Sequence, residues 1–140
     1  MQKTILIISL VALAGCWKSD FKSLKALAEK GVPRAQHELG RMYHDGTEVE
    51  QNFKESFKWT RKAAEQNHPL AQYELGFMYE YGEGTEEDFV LAYVWYNIAP
   101  DLKPKIIRDI AGRMTREQIA EAKVLVEGWQ QKFKADNKGK

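Results

Sequence analysis

The chain of 140 residues contains a single cysteine, Cys16, so no disulfide can form within it. It also lacks a charge bias: 21 basic residues face 20 acidic ones. Without residues 1–15, whose only charge is Lys3, the two signs balance at 20 each. A neutral body argues against nucleic-acid binding, where a basic surface neutralising phosphates supplies most of the affinity. The one long apolar run, Ile5–Ala14, has ten residues. That is too short to cross a ~30 Å hydrocarbon core as a lone helix. No strand pattern is present, and so no glycine-rich phosphate loop at a strand–helix junction; Gly82-Glu83-Gly84 reads as a connection between helices. At 44% hydrophobic and 29% charged, the composition is that of a folded chain of one domain or one small repeat array.

What is present begins with a signal segment. Lys3 followed by Ile5–Ala14 has the layout of a secretory signal peptide over residues 1–15. The run ends in Leu13-Ala14-Gly15-Cys16, which resembles a bacterial lipobox. That resemblance implies cleavage before Cys16 and lipidation of its sulfur, and so a palmitate-bearing lipoprotein anchored in the cell envelope. Several acyl chains, at ~0.8 kcal/mol per buried CH₂, hold a protein on a membrane durably. Trp17 and Lys18 follow the cysteine without an aspartate, which leans towards the outer membrane in a cell that has one.

A shift of 36 residues superimposes the sequence on itself without gaps. Residues 31–64 and 67–100 agree at 13 of 34 positions, where chance gives about two. Pro33, Ala35, Gln36, Glu38, Leu39, Gly40, Met42, Tyr43 and Gly46 return as Pro69, Ala71, Gln72, Glu74, Leu75, Gly76, Met78, Tyr79 and Gly82. Ala35, Leu39, Met42 and Tyr43 share one face of a helix that Pro33 can open and Gly46 can close. A second helix opens at Asn52 or Asp88, both good N-caps, and turns Phe53, Phe57, Ala63 and Ala64 inward. Each unit is therefore helix–loop–helix, and its apolar faces require neighbours. The fold class expected is all-α, a short α-solenoid of antiparallel helix pairs. Its complete units are 31–66 and 67–102 within an array over 16–133. A truncated unit precedes them, and a third first-helix over 103–114 follows. A last helix begins after Thr115, with Ile119, Ala122, Val126 and Trp129 on its inner stripe, and residues 134–140 form a disordered tail.

The segments AQYELGFMYEYGEG and DFVLAYVWYNIA, from Ala71 to Ala99, resemble the Sel-one-like repeat, a relative of the tetratricopeptide repeat. The first unit departs from that pattern with Glu48 in place of a glycine and Ser56 in place of Ala92, so its loop is expected to be less regular. The resemblance implies a scaffold that binds other proteins, with the first helix of each unit on the concave side. Some cysteine-rich relatives are linked to β-lactam binding, but the paired cysteines are missing here.

No catalytic constellation stands out, so no enzyme activity and no cofactor are expected. His37 and His44 lie seven residues apart, about two turns or ~10 Å, too far for one metal ion, and read as solvent-exposed. Glu83, Glu86, Glu87 and Asp88 read as a solvated loop and helix N-terminus. Trp59, Trp95 and Trp129 read as packing residues. On a helical wheel the concave face carries Arg34, His37, Arg41 and His44 in the first unit and Leu70, Tyr73, Phe77 and Glu80 in the second. Tyr73 and Phe77 are either an exposed hot spot or are covered by a neighbouring helix. The expected function is a membrane-anchored adaptor or assembly factor whose partner is a membrane-proximal protein or peptide. The alternatives are an envelope protein binding a cell-wall glycan or peptide, and a secreted effector or inhibitor.

Overall fold

The computed structural model describes residues 21–100 and 104–139. Cys16, Trp17 and the signal segment lie outside the described residues. Seven helices follow one another: α1 (Phe21–Glu29), α2 (Pro33–Asp45), α3 (Phe53–Glu65), α4 (Pro69–Tyr81), α5 (Phe89–Ile98), α6 (Pro104–Ala111) and α7 (Arg116–Lys138). There is no strand among the described residues. Each helix from α1 to α5 packs on its chain neighbour, and α5 also receives α6 and α7. The fold is an all-α solenoid whose pairs α2–α3 and α4–α5 repeat with the 36-residue period. None of these helices is long and apolar enough to cross a membrane.

Local chemistry sets the helix ends. Pro33 and Pro69 occupy the first turns of α2 and α4, where a missing N–H costs nothing. The carboxamide of Asn52 accepts from the Glu55 N–H at 3.1 Å, and Asp88 accepts from the Leu91 N–H at 2.9 Å. Thr115 and Gln118 cap α7 reciprocally. Gly46 and Gly82 end their helices at φ 68° and 67°, the left-handed conformation that glycine adopts without strain. The two loops then close alike, with Asn52 N–H donating to Tyr43 O and Asp88 N–H to Tyr79 O, both at 2.8 Å. The expected irregularity at Glu48 is absent. Glu48 takes φ 63° where Gly84 takes 72°, so the loop keeps its shape at the cost of about 1–2 kcal/mol of backbone strain.

Interior packing depends on two glycines. A Cβ on Gly76 would lie 2.7 Å from the Tyr96 ring, and one on Gly40 would lie 2.6 Å from Thr60 Oγ1. The recurring glutamines are buried and tie one unit to the next. Gln36 donates to Ala28 O of the preceding helix at 3.1 Å, and Gln72 donates to Ala64 O of the preceding unit at 3.5 Å as well as to Asn67 Oδ1 at 3.0 Å. Leu75, Ala92, Trp95, Tyr96 and Ile110 anchor the larger core, and Trp129 stacks on Trp95 at 4.8 Å. A smaller core gathers Ala28, Ala35, Leu39 and Trp59. The buried polar side chains (Gln36, His37, Ser56, Thr60 and Gln72) belong to the first unit and its junction with the second.

Three expectations change. Phe53 is not turned inward but stays 38% exposed, because it stands at the first position of α3 with its ring edge against His44. The third first-helix stops at Ala111 rather than Met114, since Thr115 opens α7 within a few residues; Gly112 is exposed there. The last helix runs on to Lys138 instead of ending at Phe133, as no proline interrupts it and the single Gly128 is tolerated within it.

Candidate partner-binding groove

The first helices α2 and α4 lie side by side along a groove of about 250 Å³. Because they are equivalent helices one period apart, their wheel positions correspond: Arg34 with Leu70, His37 with Tyr73, Arg41 with Phe77, His44 with Glu80; of these Arg41, His44, Tyr73 and Phe77 line the groove. The groove is lined by Arg41, His44 and Asp45 on the α2 side and by Tyr73, Glu74 and Phe77 on the α4 side, with Glu83 just past the end of α4. Ser56 of α3 and Met78 contribute to the lining between them. Ser56 is fully buried, and its hydroxyl has no hydrogen-bond partner.

The α4 wall is the less usual of the two. Leu70, Tyr73, Phe77 and Tyr81 are 62%, 39%, 37% and 58% exposed and share one face of the helix. They form a stripe about 16 Å long at 1.5 Å per residue. Tyr73 leans on Tyr96 and Phe77 on Tyr81, with ring centroids 5.6 and 4.5 Å apart. Both aromatics are thus partly packed along one edge and open to solvent on the other. Tyr81 extends the stripe beyond the wheel reading, which stopped at Glu80. Four large apolar residues in a row on one exposed helix face mark an interaction surface more often than an inert one.

The polar groups near the groove are mostly engaged with each other. His44 meets Asp45 through Nδ1 at 2.8 Å and Glu83 through Nε2 at 3.2 Å. Its pKa is raised, first by the hydrogen bond to Asp45, with partial burial opposing and Glu83 adding to the rise. Glu80 accepts from the Tyr96 hydroxyl at 2.8 Å and from Arg113 at 3.0 Å, so it faces the last units rather than a partner. Burial, followed by that bond to Glu80, pushes the Tyr96 phenol well above its ordinary range.

His37 corrects the exposed-histidine reading. It is buried, with Nε2 donating to Glu74 at 3.0 Å and its ring 4.7 Å from that of His68. The wheel placed His37 away from its own helix pair, and the next unit covers that side. His68 caps α4 by accepting the Ala71 N–H at Nδ1, and burial followed by the field of His37 lowers its pKa. Of the eight wheel residues, Arg34, Arg41, Leu70, Tyr73 and Phe77 stand exposed, His44 is half-buried, Glu80 is turned aside and His37 is enclosed. Glu74, Glu83 and Ser56 were missed as groove residues. Only the recurrence of Glu38 as Glu74 hinted at any of them. No group of three or more His, Cys, Asp or Glu among the described residues could hold a metal ion.

Residues 33–68 and 69–101 each match the family described as Sel1 repeat, and the two matches abut as the helix pairs do. This is a Sel1 repeat array. Among solved structures it is similar to a protective antigen present in uropathogenic Escherichia coli strains and displaying an SLR fold. The TM-score is 0.74 at 29% identity, over 79% of this chain and 25% of that one. It is also similar to a Sel1 repeat protein from Oxalobacter formigenes, with a TM-score of 0.58 and 36% identity over 64% of this chain and 37% of that one. The Sel1 chain thus spans 25% and 37% of the length of these two relatives. No curated protein matches it.

Proposed function

We propose that this Sel1 array is a lipid-anchored protein-interaction module of the bacterial cell envelope, holding a membrane-proximal protein or peptide in the α2–α4 groove. The observation that carries the reading is the exposed stripe Leu70–Tyr73–Phe77–Tyr81 beside a groove between the two first helices. Aromatic side chains on a rigid helix contribute large contact area at little entropic cost, as interface hot spots do. The anchor rests on Leu13-Ala14-Gly15-Cys16 in the sequence. A relative described as a protective antigen suits display outside the cytoplasm.

Both halves of the proposal are testable in cells. Replacing Cys16→Ser should abolish labelling by radioactive palmitate and release the protein from membranes; retained label in the variant excludes the anchor. Tyr73→Ala with Phe77→Ala should abolish recovery of the partner from detergent extracts while leaving the helical circular dichroism unchanged. Undiminished recovery removes the groove from consideration.

A further inference from the structure

A second groove, of about 540 Å³, runs between α5 and α7. Its charged lining residues are Glu87, Asp88 and Glu121, and among the described residues no cation lines it. Its apolar lining includes Val90 and Leu91, both half-buried, and Leu125, which is 38% exposed. Arg116 and Lys123 of α7 stand about half a turn away from Gln118, Glu121 and Leu125, on the opposite flank of the helix. Arg113 lies over the ring of Phe89 at 4.0 Å, but its charge is matched by Glu80 at 3.0 Å. The open side of this groove is therefore acidic and apolar together.

The fold accounts for only part of this charge. Asp88 caps α5, accepting the Leu91 N–H at 2.9 Å. Glu87 precedes that cap, where the helix dipole favours a negative charge. Glu121 has no such reason to be acidic. It stands in the second turn of α7, beyond the reach of the dipole, and one turn after Glu117, a like charge that works against the helix. The residue one turn further on is Leu125, so no cation on that flank offsets it. Glu87 and Glu121 are both exposed, and neither has a hydrogen-bond or ion-pair partner among the described residues. A cation from outside the chain would supply what the fold does not.

We infer that the α5–α7 groove is a second docking surface, taking a basic segment of a partner protein whose lysines or arginines meet Glu121 and Glu87 while a leucine-like side chain packs on Leu125 and Val90. Gln118 to Leu125 extend about 10 Å along α7, so the occupant is a length of chain rather than a single small cation. Electrostatic complementarity of this kind sets which partner is accepted and how fast it arrives. The surface is separate from the α2–α4 groove, which first helices form, and does not depend on it. With both in use, the array joins two partners.

The test uses the full chain in non-ionic detergent and three fluorescein-labelled twelve-residue peptides, read by anisotropy with protein-free micelles as the blank. The first combines lysines with two leucines, the second replaces each lysine by glutamate, and the third replaces each leucine by serine. The first should bind at least about tenfold more tightly than either of the others. Its affinity should fall as salt rises from about 50 to about 500 mM. Glu87→Lys with Glu121→Lys should invert the preference, so that the glutamate peptide binds better, and Leu125→Ser should weaken the lysine peptide several-fold. All three residues are exposed, and unchanged helical circular dichroism checks that the fold survives. Tyr73→Ala with Phe77→Ala should leave this binding as it was. Equal binding of the lysine and glutamate peptides, indifference to the Glu87 and Glu121 reversal, or no binding at all overturns the inference. Binding that is lost in the Tyr73 and Phe77 variant instead overturns it in favour of the α2–α4 groove, so the two readings fail separately.

Discussion

Replacing Gly76→Ala should destabilise the array, although alanine is the better helix former. In an open helix the change gains about 1 kcal/mol, because glycine loses more backbone entropy on folding. At Gly76 the new methyl would stand 2.7 and 2.9 Å from two carbons of the Tyr96 ring. That ring cannot move aside easily: it is 1% exposed, it packs on Tyr73, and its hydroxyl is tied to Glu80 at 2.8 Å. Overpacking of this kind costs about 1–3 kcal/mol, and the fixed ring places it near the upper end. The net expectation is a loss of about 1–2 kcal/mol, measured by urea unfolding followed at 222 nm. Gly128→Ala is the internal control, since a Cβ there meets nothing within 4 Å. It should stabilise by roughly 0.5–1 kcal/mol. Combining Gly76→Ala with Tyr96→Ala, which removes the ring that the new methyl would meet, should recover most of the alanine penalty relative to Tyr96→Ala alone. If Gly76→Ala is as stabilising as Gly128→Ala, the close approach of α4 and α5 is not what glycine is for.

Glu48→Gly should stabilise the chain by about 0.5–1 kcal/mol, since it relieves a left-handed φ at some cost in unfolded-state entropy; thermal unfolding measures it. Gln36→Ala should cost about 1–3 kcal/mol in urea unfolding, because a buried side chain bonded to Ala28 O and Gln66 is lost. The pH dependence has two opposing parts. His68 has a lowered folded pKa, so its contribution is present above about 6.5 and is lost as pH falls through the folded value. His44 has a raised one, so its contribution is full below about 6.5 and is lost as pH rises through the folded value. His68→Asn keeps an N-cap that cannot titrate and should reduce the loss of stability between pH 7 and pH 5, whereas His44→Gln should remove a loss on the alkaline side. A pH–stability profile unchanged in both variants contradicts these assignments.

The parts of the fold legible in the sequence are those set by short-range chemistry and by the period. Pro33, Gly46, Asn52, Asp88 and Thr115 each sit at the helix end their side chains dictate. Trp59 and Trp95 are buried at equivalent positions, as their 36-residue recurrence indicates. Less visible was whatever depends on the neighbouring unit. A helical wheel assigns His37 to the side away from its own pair, but Glu74 and His68 of the next unit enclose it. Tyr73 and Phe77 could not be resolved from the wheel for a different reason, since their exposure depends on Tyr96 and Tyr81 of their own unit covering only one edge of each ring. Glu48 misled through composition: a glycine-type conformation was held by a residue that pays for it in strain, because the flanking bonds of the loop fix its path.

The central claim is that the groove between α2 and α4 is where a partner docks. A photo-crosslinking residue placed at Phe77 in cells tests it directly, with Val124, exposed on α7 outside the groove, as the reference position. One discrete adduct from the Phe77 site, absent from the Val124 site and abolished by Arg41→Glu, is the predicted result. Identical adducts from both sites, or none from Phe77, would contradict the account.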